Sequence, residues 1–66
     1  MFVQFMMENY LKDQSPIGDL ARDIKCDATF PENADTEEAI QNYLEAEGAC
    51  WQCIDAFLQA WEAYTC

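Results

Sequence analysis

The chain has 66 residues, thirteen of them acidic and three basic, with no histidine, for a net charge of −10. Lys12, Arg22 and Lys25 are too few cations to hold a phosphate backbone against that field, which argues against direct contact with nucleic acid or an anionic membrane. The length allows one domain, residues 1–66, with a small core, and two Trp, three Tyr and four Phe give that core enough area to fold.

Phe2–Lys12 reads as a first helix. Phe2, Val3, Phe5, Met6, Tyr10 and Leu11 share a broad apolar face, while Gln4, Glu8 and Lys12 recur every four residues on the wet side. Glu8 and Lys12 stand in the favourable order for an i, i+4 ion pair. Met1–Met7 is apolar but short, has no positive n-region and runs into Glu8, so it does not read as a secretory signal. No apolar run reaches the roughly 18 residues of a membrane span.

Ser15–Asp27 carries a helix start, an apolar stripe and a stop. The Ser15 hydroxyl is placed to cap the first N–H groups, and Pro16 suits the first helical position. Ile17, Leu20, Ala21 and Ile24 fall on one face, with Asp19, Arg22, Asp23 and Lys25 in water. Asp19 lies in the first turn, where a negative charge suits the helix dipole. Gly18 costs about 1 kcal/mol against Ala, and a close approach by another part of the chain would explain it. The helix should fade near Cys26–Asp27. Pro31 pushes Phe30 towards extended geometry, and Phe30 is expected to plug the core from this loop.

A third helix begins near Asp35. Asp35 and Glu38 have the spacing of a capping box, with Thr36 as a rival cap. Ala39, Ile40, Tyr43 and Leu44 form the predicted buried stripe, Glu37, Gln41, Glu45 and Glu47 face water, and Gly48 is the stop. A fourth helix runs from about Cys50 to Tyr64, with Ile54, Phe57, Leu58, Trp61 and Tyr64 on one face. Trp61 is the bulkiest candidate for the centre of the core. Trp51, near the helix start, is expected to be half exposed.

Nothing alternates like a strand. The fold class is all-α: a compact bundle of four to five helices, the fifth being a short helical turn around Ala28–Pro31. The predicted core is Phe2, Phe5, Met6, Ile17, Leu20, Ala21, Ile24, Phe30, Ile40, Tyr43, Leu44, Ile54, Phe57, Leu58, Trp61 and Tyr64.

The order of landmarks is familiar. An aromatic Phe2–Met7 opening is followed by SPIGDLARDI at Ser15–Ile24, Asp27, FP at Phe30–Pro31, YLE at Tyr43–Glu45 and F-x-x-AW-x-x-Y at Phe57–Tyr64. With these strings the chain resembles the YozE-like small bacterial proteins, whose fold is similar to a sterile-alpha-motif (SAM) domain. The resemblance covers nearly all of the chain. It implies a helical domain found in bacteria and their phages, of a fold used for protein–protein contacts or nucleic-acid binding, and it brings no catalytic or ligand residues with it. The fold alone does not fix a function.

The residues offer little for catalysis. Histidine is missing, Ser15 is the only serine, and two glycines cannot build a phosphate-cradling loop. No enzymatic activity and no cofactor are expected. Cys50 and Cys53 form a C-x-x-C pair. A zinc site would need Cys26 and Cys66 to complete it. A redox role would rest on a thiol near a helix N-terminus, without the βαβ context of such motifs. Packing or an idle surface position is the favoured reading. Four cysteines without a secretory signal point to the cytoplasm.

Two roles remain. The first is a protein-interaction module that contacts an unknown protein partner through Trp51, Phe30 or the acids of the third helix. The second is an acidic decoy that occupies the groove of a DNA-handling protein, its phosphate row imitated by Asp19, Asp23, Asp35, Glu37, Glu38, Glu45 and Glu47. Nucleic-acid binding by analogy of fold is a weaker third, opposed by the charge. A monomer or weak homo-oligomer is expected, with Trp51 and Met7 as residues that could lie outside the core.

Overall fold

The computed structural model describes residues 1–66 and contains four helices and no strand: α1 (Phe2–Tyr10), α2 (Pro16–Cys26), α3 (Glu37–Ala46) and α4 (Trp51–Thr65). The long α4 is the hub. It packs most extensively on α2 and also meets α1 and α3, while α1 packs on α2. No close backbone approach joins α2 to α3. No helix is long and apolar enough to cross a membrane.

The core forms where the apolar stripes of the four helices meet. Phe2, Met6, Ile40 and Phe57 are its fully buried large side chains, joined by Leu20, Ala21, Ile24, Phe30 and Leu44. Phe2, rather than Trp61, is the aromatic centre. Its ring meets Phe57 edge-on at 5.5 Å, Tyr64 edge-on at 5.6 Å and Trp61 tilted at 5.4 Å. Trp61 is half-buried and roofs this cluster. Phe30 plugs the core from its loop, as its size demands, and lies 6% exposed.

Several expectations are corrected. Leu58 shares the period of α4 but is exposed; Ala56 and Ala60 are buried with Phe57 instead, because α4 approaches its neighbours along a face of small side chains. Phe5, Ile17, Tyr43, Ile54 and Tyr64 are only partly buried against the core, and Ala39 is exposed. The segment around Ala28–Pro31 is a single turn closed by Phe30 N–H donating to Asp27 O at 3.2 Å, so the bundle has four helices, the lower of the expected four to five.

The helix ends differ in detail as well. Ser15 occupies the cap position of α2, but its hydroxyl makes no capping bond; its own N–H donates to Asp13 Oδ1 at 2.7 Å. At α3 Thr36, not Asp35, is the cap, its hydroxyl accepting from Ala39 N–H at 3.2 Å. Gly48, at φ 80°, ends α3 as expected. Gly48 N–H donates to Glu45 O and Ala49 N–H to Leu44 O, the pair of bonds that closes a helix on a left-handed residue.

The α1–α2 connection is clamped from α2. Arg22 is exposed, as expected, and from the surface it donates from Nη1 to the carbonyls of Leu11 (3.0 Å) and Asp13 (2.9 Å) and from Nη2 to Asp19. Gly18 is buried against this connection; a Cβ there would stand 2.6 Å from the Asp13 carbonyl carbon and nearer still to its oxygen. That close approach explains the glycine. Glu8 makes no ion pair with Lys12, because α1 ends at Tyr10; its carboxylate accepts from the Gln4 amide.

Candidate functional site

The gap between α2 and α3 opens the largest depression of the surface, about 290 Å³. Its apolar walls are Leu20 and Ile24 of α2, Leu44 at the end of α3, Ala49 beyond it, and Phe30 from the intervening loop. A second depression of about 200 Å³ adjoins it and shares Leu20, Asp23, Cys50 and Cys53. A third, also about 200 Å³, shares Pro16 and Gln52 with the second and reaches Trp51. The three adjoin one another through shared lining residues along α2 and the start of α4, and this series of depressions is termed the trough.

The lining of the trough is unequal in charge. Asp19, Asp23, Asp27, Glu47 and Asp55 contribute carboxylates, and none of the chain's three cations takes part. Asp19 is paired with Arg22, the only ion pair of the molecule. Asp23 and Glu47 make no side-chain hydrogen bond or ion pair. Both line the wide end, Asp23 from α2 and Glu47 from the C-cap of α3.

That end is held firmly. The Tyr43 hydroxyl donates to Asp27 Oδ2, and the Thr29 hydroxyl (2.7 Å) and N–H (3.0 Å) both donate to Asp27 Oδ1. These donors, Tyr43 first and Thr29 next, favour the carboxylate and hold Asp27 below its ordinary range, while the bond to Asp27 raises the Tyr43 phenol. Phe30 meets the edge of the Tyr43 ring at 5.2 Å. The loop after α2 is thereby tied to α3 beside the wide end.

The predicted site residues separate into two groups. Asp19, Asp23, Glu47 and Trp51 all line the trough. Asp35, Glu37, Glu38 and Glu45 do not. Asp35 accepts the Tyr64 hydroxyl at 2.8 Å, Glu37 and Glu38 sit in the first turn of α3, where they suit its dipole, and Glu45 accepts from the Gln41 amide. Asp27 and Asp55 are trough residues that the sequence reading missed. The signal for Asp27 was partial, since it follows Asp19 and Asp23 at the same spacing of four but stands just past the end of α2, in extended backbone. Trp51 is 74% exposed, more than half as expected.

The cysteines are all free thiols. No three His, Cys, Asp or Glu side chains gather closely enough to hold a metal ion, so Cys26 and Cys66 do not complete a ligand set with Cys50 and Cys53. Burial, followed by the neighbouring Cys50 and Asp23, pushes the Cys53 thiol up. That opposes the thiolate a redox nucleophile requires.

Fold and surface together define a small four-helix domain with an open, acid-lined apolar trough. The chain belongs to the YozE SAM-like fold family, whose model matches residues 1–66. No curated protein and no solved structure matches it.

Proposed function

We propose that this chain is a non-enzymatic protein-interaction module, of a bacterium or phage, that receives a basic partner protein in its trough. The observation that carries this is the composition of the lining: apolar walls, five carboxylates and no cation. Opposite charge steers a partner in, and apolar contact holds it. The exposed Trp51 at the far end is the residue type that anchors interfaces. The module acts in the cytoplasm, where its free thiols stay reduced, and is itself a monomer or weak homo-oligomer.

A decoy role draws support from the same charge, because every acid except Asp19 lacks a cationic partner. Of the seven carboxylates that would imitate a phosphate row, only Asp19, Asp23 and Glu47 share the trough. The occupant would then be a DNA-handling protein. Direct nucleic-acid binding is opposed by the net charge of −10.

Capture from the source cell with the wild type and with an Asp23→Asn, Glu47→Gln double variant tests the module. A protein should be retained by the wild type at low salt and lost from the double variant, whose circular dichroism should remain that of the wild type. Equal recovery by both would defeat the proposal. A captured DNA-binding protein that the nucleic acid competes away would favour the decoy.

A further inference from the structure

We infer that the wide end of the trough takes one large apolar side chain from a partner segment that carries Lys or Arg on both sides of it. This rests on the proposal above that the partner is basic, and names what it inserts and where.

The first observation is size. About 290 Å³, open on one side, lies at the lower limit of small-molecule sites, which enclose most of their ligand. A cofactor-sized molecule would stay largely in water there, whereas a Leu, Met or Phe side chain enters together with the backbone that carries it. The second is the wall chemistry. Leu20, Ile24, Phe30, Leu44 and Ala49 line that space, and of its three carboxylates Asp23 and Glu47 are exposed while Asp27 is half-buried.

The third is the placement of charge. Asp23 and Glu47 reach the depression from two different elements, α2 and the C-cap of α3, and each has its carboxylate unengaged within the chain. A cation on either side of an apolar anchor meets both. Asp27 is already occupied by Tyr43 and Thr29 and serves the wall instead. The fourth is rigidity. The Tyr43–Asp27 bond and the closure of α3 at Gly48 fix both walls before anything binds, which lowers the ordering cost of association. A second copy of the chain is a poor occupant, since each copy carries −10.

Short synthetic peptides test this on the intact chain: Leu between two pairs of Lys, Gly in place of that Leu, and Leu between two pairs of Glu. Dissociation constants and backbone amide shifts are read by NMR titration. The Leu–Lys peptide should bind at least about tenfold tighter than its Gly counterpart, the minimum expected from burying one such side chain. Its shifts should centre on Ile24, Phe30, Leu44 and Ala49. Equal binding of the Leu–Lys and Gly–Lys peptides would overturn the anchor while leaving the basic-partner proposal standing. Failure of both Lys peptides, or preference for the Glu peptide, would overturn both. Concentration-dependent shifts at the same amides without peptide would show self-association as the use of this surface, and overturn the inference.

Discussion

Gly18→Ala is the substitution for which general propensity and this structure predict opposite signs. In an exposed helix interior the change stabilises by about 1 kcal/mol. Here the added methyl would lie 2.6 Å from the Asp13 carbonyl carbon and nearer to its oxygen. An unstrained carbon contact is about 3.5–4.0 Å, and the oxygen is nearer than the carbon, so the loop must retreat by more than about 1 Å. The same carbonyl accepts Arg22 Nη1 at 2.9 Å, so the retreat also strains the clamp on the α1–α2 connection. Overpacking of this kind costs about 1–3 kcal/mol, and weakening a charged hydrogen bond adds to it. After the propensity gain, the net loss is about 1–3 kcal/mol. A domain of this size holds roughly 3–5 kcal/mol in all, so the midpoint of thermal unfolding should fall by about 4–8 °C per kcal/mol. Urea unfolding followed by far-UV circular dichroism measures it, with a lower midpoint at unchanged slope expected. A variant as stable as the wild type, or more so, would refute the role assigned to Gly18.

Phe2→Ala should cost about 3–5 kcal/mol and remove the cooperative transition, because that ring meets Phe57, Trp61 and Tyr64 together; near-UV circular dichroism reads the loss. Leu58→Ser should cost about 1–2 kcal/mol in the same urea assay, less than Phe2→Ala, since the side chain is 36% exposed and only its covered part loses contact. The Asp27 carboxyl is held below 3.8 by the Tyr43 and Thr29 donors. Its contribution is therefore present above that pH and lost as pH falls through the lower folded value. The Tyr43 phenol is raised above 10.0, chiefly by its bond to Asp27, so its contribution is present below that pH and lost as pH rises past the folded value. Urea midpoints against pH should show a flatter acid limb for Asp27→Asn than for the wild type; parallel limbs would count against the bond.

Helix existence was legible because each helix has a stripe at helical spacing and a recognisable start or stop. Gly18 was legible as an anomaly whose reason lay outside its own helix. Leu58 was misread because periodicity gives the faces of a helix without saying which neighbours arrive; α4 meets its partners over Ala56 and Ala60, residues too small to stand out in a hydrophobic pattern. Arg22 was legible as exposed but not as a clamp, because its acceptors are backbone carbonyls, which no side-chain pattern records. The trough was half legible. Asp19 and Asp23 were visible as a pair, but their association with Glu47 and Trp51 depends on how α3 and α4 fold around α2.

The two indoles sit in opposite surroundings. Trp61 lies among Phe2, Phe57 and Tyr64, while Trp51 stands in water at one end of the trough. Their fluorescence should therefore divide into a blue-shifted component that follows unfolding and a red-shifted, readily quenched component that follows occupancy. The chain carries its own pair of spectral reporters, one for integrity and one for binding, and a Trp→Phe change at either position isolates the other.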